Sequence, residues 1–361
     1  MKIATIVGAR PQFIKLSPLS QKLRMNCKEI LIHTGQHYDY EMSKVFFDEL
    51  EIPAPDYHLE VGSESHSVQT GKMLIKIEEA LVKEKPDMVL VYGDTNSTLA
   101  GALATAKMNI PIGHVEAGLR SFDKGMPEEI NRVVTDHLSS FCFAPTKTAV
   151  DNLKKEGIEN GVYLTGDVMY DAAIKGIEIA KSKSQIFNQL NLKEKDYLLV
   201  TIHRQGNTDV LENLTSLVES LVELNEKIVF PIHPRTKKVL KEYGLLSKLE
   251  SSPYVIIISP VGYLDFLLLE SGAKKILTDS GGIQKEAYFF KVPCITLREN
   301  TEWVETVEDG WNILVGTNKN QISQAVLEFN PQNKQRDVFG DGKASEKIAE
   351  IFIDFKGNCV V

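Results

Sequence analysis

The chain has 361 residues, 43% hydrophobic and 25% charged, a composition that buries sizeable cores and excludes a mainly disordered or fibrous protein. At roughly 100–200 residues per domain, that length favours two domains. A formal net charge of −8 with no long basic run excludes a general electrostatic grip on nucleic acid or anionic lipid, leaving room only for a local basic pocket.

The opening apolar run, residues 3–7, is too short for a signal segment and lacks a cleavage site. No stretch approaches the ~18–20 apolar residues of a membrane span. Cys27, Cys142, Cys294 and Cys359 are scattered, with no CxxC and no Cys/His pair, which suits free thiols and offers no zinc ligands. A cytoplasmic protein without a metal or a membrane segment is expected.

Apolar β-branched runs at 2–8, 29–34, 88–93, 112–116, 141–145 and 162–165 predict strands in the first half. Between them, the spacing of Leu99, Ala102, Leu103 and Ala106 predicts a helix over 97–107. The second half repeats the pattern, with strands at 197–203, 227–233, 255–259, 275–278, 293–297 and 312–315. Continuous apolar strands separated by helices predict parallel sheets covered on both faces. The expected fold is α/β, with two doubly wound domains, residues 1–170 and 171–343, joined near 166–181.

In such sheets ligands sit beyond the carboxyl ends of the strands, so chemistry is sought there, facing the interdomain cleft. Those ends read Gly8-Ala9-Arg10-Pro11, Thr34-Gly35-Gln36-His37, Gly93-Asp94-Thr95, His114-Val115-Glu116-Ala117-Gly118, His203-Arg204, His233-Pro234-Arg235 and Thr278-Asp279-Ser280-Gly281-Gly282. Any one of them alone is a cap or a turn; together they mark one edge. Ser280, Gly281 and Gly282 open an apparent helix whose free N–H groups suit an anion. Arg10, Lys15, His203, Arg204, His233 and Arg235 could neutralise a diphosphate. Asp94 and Glu116 follow strands, while Glu128 follows Pro127 at a helix start, four residues before Arg132 and on the same face. Carboxylates in different environments can divide acid and base roles. An i,i+4 ion pair with Arg132 is the plainer reading of Glu128. Neither a G-x-G-x-x-G after the first strand nor a P-loop occurs, which weakens dinucleotide redox chemistry and P-loop hydrolysis.

Taken in order, these motifs, with Pro127-Glu128-Glu129-Ile130-Asn131-Arg132 and Asp279-Ser280-Gly281-Gly282-Ile283-Gln284, resemble the non-hydrolysing UDP-N-acetylglucosamine 2-epimerases over nearly the full length. The resemblance implies the two-Rossmann GT-B architecture, a nucleotide held mainly by the C-terminal domain, and a final segment, 344–361, returning as a helix to the N-terminal domain. It also implies a homodimer, and inversion at C2 of a UDP-activated 2-acetamido sugar, by loss of UDP to a glycal and re-addition, with no redox cofactor. By position, Asp94, Glu116 and Glu128 become acid/base candidates, and Arg10, Lys15, Arg132 and His203 would position substrate and offset charge on leaving UDP. Ser280, Gly281 and Gly282 would hold the diphosphate and Glu286 the ribose.

Departures occur at His203-Arg204-Gln205-Gly206-Asn207, where many members have a carboxylate at the position of Gly206, and at Gln284-Lys285-Glu286, where Gln-Glu-Glu is common. Thr301-Glu302-Trp303-Val304-Glu305 looks more like the branch acting on UDP-2,3-diacetamido-2,3-dideoxyglucuronate. There Trp303 is expected to face the sugar and Arg298 to meet a C6 carboxylate. A GT-B glycosyltransferase and a hydrolysing epimerase releasing N-acetylmannosamine are the competing readings. The carboxylates favour an epimerase over the transferase, which has no C2 proton to exchange.

Overall fold

The computed structural model describes residues 1–36 and 47–358, with side chains to residue 355. His37 lies outside the described residues. The chain divides into two compact units, one of Met1–Ile174 together with the chain from Asp337 onward, the other of Lys175–Arg336. The division falls within one helix, Val168–Lys183.

Among the described residues, the first unit carries a seven-stranded sheet ordered β3-β2-β1-β4-β5-β6-β7. Its strands are β1 (Lys2–Val7), β2 (Lys28–His33), β3 (Tyr57–His58), β4 (Met88–Tyr92), β5 (Ile112–Val115), β6 (Phe141–Ala144) and β7 (Val162–Leu164). The second unit carries six, ordered β10-β9-β8-β11-β12-β13. These are β8 (Leu198–Thr201), β9 (Ile228–Pro231), β10 (Val255–Ile258), β11 (Lys275–Thr278), β12 (Cys294–Thr296) and β13 (Asn312–Leu314). Every pairing is parallel, with registers such as Ile3↔Met88 and Thr278↔Thr201. Both units are Rossmann-like doubly wound α/β domains. The strand order switches direction between β1 and β4, and again between β8 and β11, which is where such sheets open a crevice.

The continuous apolar runs become strands because helices cover both sheet faces. Ile6, Val91, Ala100 and Ile77 share one core in the first unit, and Val200, Leu217, Phe230 and Leu277 share one in the second. Most strands stop one or two residues short of the apolar run that predicts them. The cause is visible at Gly93 and Glu116, where φ values of 60° and 72° turn the chain out of the sheet. β3 has no apolar run of its own and joins the sheet only through Tyr57 and His58 beside β2.

The last helix, Ala344–Asn358, belongs to the first unit. Asp171 accepts from the Ala344 and Ser345 N–H groups at 3.1 and 2.7 Å. Phe352 is fully buried edge-on to Phe141 and Phe143. Among the described residues, no helix is long and apolar enough to cross a membrane.

His33, at the end of β2, is stacked between Phe13 and His58, and its Nδ1 accepts from the Gly35 N–H at 3.0 Å. Burial, with His58 beside it, pushes its pKa down to about 4. The unfolded chain therefore takes up a proton near pH 6.5 that the fold refuses. Stability is full above that pH and falls as pH drops towards 4, by about 3 kcal/mol from this group. His33→Asn, which keeps an acceptor for Gly35, is expected to flatten this part of the urea-unfolding profile between pH 6.5 and 4. A variant with the wild-type pH slope would assign the acid sensitivity elsewhere.

Candidate active site

In the first unit the site is built from the turns after β1, β2, β4 and β5 and from the helix starts at Arg10, Asn96 and Pro127. Gln12, on the helix Arg10–Asn26, is buried where β1 ends. Its oxygen accepts from the Gly8 and Ala9 N–H groups at 2.8 and 3.1 Å, and its amide donates to Tyr92 O at 2.9 Å and Thr98 Oγ1 at 3.0 Å. One side chain thus ties the first turn to the end of β4. Arg10 opens the same helix and is exposed, while Lys15, a turn later, is buried and ion-paired with Glu116. Gln36 accepts from Ser97 N–H and Oγ at 2.9 and 2.6 Å, bracing the β2 turn against the helix Asn96–Lys107.

Asp94 pairs with Arg132, whose other terminal nitrogen donates to Glu129 at 2.9 Å. Burial works against the Arg132 charge, but Asp94, Glu129 and Glu116 outweigh it and raise the pKa above the ordinary arginine value. Arg132 therefore stands within electrostatic reach of both strand-end carboxylates. A Cβ on Gly93 would lie 3.0 Å from Lys15 Nζ and 3.3 Å from Glu116 Oε2, so the absence of a side chain there makes room for that pair. Asp94, Glu116, Lys15 and Arg132 form one neighbourhood.

Glu128 corrects the plainer reading of its helix. Arg132 pairs i,i+3 with Glu129 rather than i,i+4 with Glu128. Glu129 is buried and accepts from Ser121 N–H, Ser121 Oγ and Phe122 N–H at 2.9, 2.9 and 3.0 Å. Glu128 is exposed in the first turn of Pro127–Leu138, where the helix dipole favours a carboxylate. Sequence reasoning passed over Gln12, Glu129 and Asn131, whose amide donates to Asp94 O at 2.9 Å. Glu129 and Asn131 lie inside the motif at 127–132, and Gln12 directly follows Gly8-Ala9-Arg10-Pro11.

In the second unit the fully buried Asp279 organises the end of β8. It accepts from His203 N–H at 3.1 Å, Arg204 N–H at 3.0 Å and the Asn207 amide at 3.0 Å. His203 Nδ1 lies 3.3 Å from the same carboxylate. Burial lowers the His203 pKa, Asp279 opposes this, and Arg204 and His233 add to the lowering. His233 caps the helix Pro234–Glu242, its Nδ1 accepting from Arg235 N–H at 3.2 Å. Arg235 reaches Asp209 at 2.6 and 2.7 Å.

Ser280 is the N-cap of the helix Gly281–Phe289, and Glu286 is buried on it near Tyr263 Oη at 3.5 Å. A Cβ on Gly281 would fall 2.1 Å from Glu302 Oε1, whereas Gly282 has only Ser280 Oγ near it, at 3.9 Å. Glu302 is held by Arg298 at 2.9 Å and Arg204 at 3.6 Å. Burial pushes its carboxyl up, but the two guanidiniums bring it below the usual range. Arg298 also donates to Asn300 at 3.0 Å. Trp303 departs from expectation. It is 4% exposed, with Lys285 Nζ 4.1 Å over its ring, and serves as a buried anchor of its loop rather than a face open to a ligand. Among the described residues, no group of His, Cys, Asp and Glu could hold a metal ion.

A family model described as UDP-N-acetylglucosamine 2-epimerase matches residues 21–353. A "UDP-N-acetylglucosamine 2-epimerase homolog" of Methanococcus maripaludis is 60% identical over 97% of this chain and 99% of its own. A Pseudomonas aeruginosa UDP-2,3-diacetamido-2,3-dideoxy-D-glucuronate 2-epimerase is 48% identical over 97% and 99%. The crystal structure of the Methanocaldococcus jannaschii UDP-GlcNAc 2-epimerase in complex with UDP-GlcNAc and UDP superposes with a TM-score of 0.90, at 51% identity over 98% of this chain and 99% of that one. Matched from end to end in sequence and in both sheets, the chain belongs to the UDP-N-acetylglucosamine 2-epimerase family.

Proposed function

We propose that the chain is a non-hydrolysing 2-epimerase of a UDP-activated 2-acetamido sugar. The observation that carries this reading is the pair of strand-end carboxylates, Asp94 and Glu116, each set against its own cation, with Glu128 exposed on the helix that holds Arg132. Inversion at C2 takes a proton from one face of that carbon and returns one to the other, so proton-handling groups are needed on both faces. As the C2 proton leaves, the C1–O bond breaks and UDP departs with its electron pair, leaving a glycal. Re-addition of UDP with protonation of C2 from the opposite face completes the cycle. The sequence is redox-neutral and needs no redox cofactor.

Asp94, Glu116 and Glu128 would carry the proton transfers, while Lys15 and Arg132 fix the carboxylates. Arg10 and Arg235 would offset charge on departing UDP, while His203 and His233 would position it. Ser280, Gly281 and Gly282 would receive the diphosphate on backbone N–H groups and Glu286 the ribose. UDP leaves readily only when preorganised donors meet its charge. A reducing, cytoplasmic setting agrees with Cys142 and Cys294, two buried thiols outside any disulfide.

Asp94→Asn, Glu116→Gln and Glu128→Gln are each expected to lower turnover at least about a hundredfold without unfolding the chain. In deuterated water, wild-type enzyme should place deuterium at C2 with UDP still attached, followed by NMR. Release of free N-acetylmannosamine would indicate a hydrolysing enzyme, and near-wild-type turnover in a variant removes that residue from the set.

The sugar itself is tested at Arg298. A C6 carboxylate would displace Glu302 from Arg298 rather than fill a vacant place, so the 2,3-diacetamido uronate should be preferred over UDP-N-acetylglucosamine by no more than about tenfold in kcat/KM, short of a full charge-assisted bond of about 1.5–3 kcal/mol. Equal or better use of UDP-N-acetylglucosamine takes Arg298 out of that role and leaves the epimerase reading standing.

A homodimer fits Val68, Ile75 and Val82, which are 46%, 58% and 56% exposed along one seam of the helix His66–Glu84. Ile75→Glu is expected to shift the sedimentation-equilibrium mass from two chains to one. An unchanged mass moves the interface elsewhere.

A further inference from the structure

Behind the carboxylate turns lies a fully buried pair, His114 and Asp136, that the roles proposed above leave unused. His114 sits on β5 two residues before Glu116, and Asp136 on the helix Pro127–Leu138 that carries Glu128 and Arg132. His114 Nδ1 is 2.6 Å from Asp136 Oδ1, and Nε2 is 2.7 Å from the carbonyl oxygen of Gly93, the residue before Asp94. The other Asp136 oxygen accepts from Gly118 N–H, just past Glu116, at 3.1 Å and from Arg120 Nη1 at 2.7 Å. Arg120 in turn grips Glu156 through two nitrogens, at 2.7 and 2.8 Å.

We infer that His114 and Asp136 are positioning residues, with one buried imidazole holding the Gly93–Asp94 turn, the Glu116–Gly118 turn and the helix of Glu128 in a single register. A carbonyl can only accept, so Nε2 carries a proton, and Nδ1 shares a second with the Asp136 carboxylate. The backbone link across this edge runs from Gly93 N–H to Val115 O at 3.0 Å, and the imidazole makes the next link outward. Glu116 sits at positive φ, which a residue other than glycine keeps only when its surroundings hold it there. A shift of about 1 Å in a reacting group can cost on the order of a hundredfold in rate, which is what the pair guards against.

The inference rests on Asp94 and Glu116 as the acid/base groups, so Glu116→Gln is measured alongside. His114→Asn keeps a donor for Asp136 and His114→Gln keeps one for Gly93, but neither spans both. Each is expected to lower kcat about 10- to 100-fold, with KM for the UDP-sugar within about threefold of wild type and calorimetric UDP affinity unchanged. If Glu116→Gln turns over normally, the acid/base role of Glu116 on which the inference rests fails. If Glu116→Gln is inactive while the folded His114 variants keep wild-type kcat, with only the melting midpoint lowered or only KM raised, the positioning role is overturned. Should neither His114 variant fold, the ¹⁵N shifts of His114 in wild-type enzyme decide. A proton on Nε2 supports the link, and an unprotonated Nε2 overturns it.

Discussion

Two ion pairs at the carboxyl edge of one sheet, Lys15 with Glu116 and Arg132 with Asp94, set the terms for the first unit. Lys15, Glu116 and Arg132 are all buried, and taking charges out of water costs several kcal/mol per ion before any attraction is counted. Apolar residues of similar volume would often hold the fold as well or better. The backbone bends to accommodate these charges instead. Gly93 and Glu116 take left-handed conformations, Gly93 gives up a side chain that would crowd Lys15, and Gln12 spends all four of its hydrogen bonds fixing the turns alongside. The local geometry is shaped around the charges, which is expected where position matters more than stability.

Much of this edge was readable from the residues, because a doubly wound sheet leaves few places for polar groups to gather. Apolar runs marked twelve strands to within a residue or two, and polar clusters at their ends marked where Asp94, Glu116, His203 and Ser280 lie. Three things were not readable. β3 is two residues long and exists only because β2 offers it an edge. Glu128 and Glu129 are adjacent, and spacing favoured the wrong one as the partner of Arg132, since an i,i+3 pair and an i,i+4 pair are equally natural on a helix. Trp303 looked like a ligand face by its place after β12, yet Lys285 covers its ring. β3 and Trp303 are tertiary contacts that override a local pattern, whereas the Glu129 pair is a local choice that spacing leaves open.

The two units solve one problem in the same way. In each, a buried aspartate accepts backbone N–H groups from the turn that presents the ionisable residues. Asp136 does so for Gly118, and Asp279 for His203 and Arg204. In each it also touches a histidine, His114 at 2.6 Å in one unit and His203 at 3.3 Å in the other. The difference lies in burial. His114 is closed off from water and can only hold its neighbours, whereas the His203 side chain is 44% exposed and can meet a ligand.

The second unit adds a constraint that composition hides. Gly281 opens a helix whose N–H groups suit an anion, and Glu302 already lies against it, held by Arg298 and Arg204. A diphosphate received there, as proposed, would exchange one anion for another. Its affinity is the difference between two sets of charge-assisted bonds rather than the whole of one. A site arranged this way binds more weakly than its cations suggest, and it lets go more readily. For a reaction that must hold UDP while it is detached and then return it to the sugar, the donors need to favour the diphosphate only slightly over the carboxylate beside it.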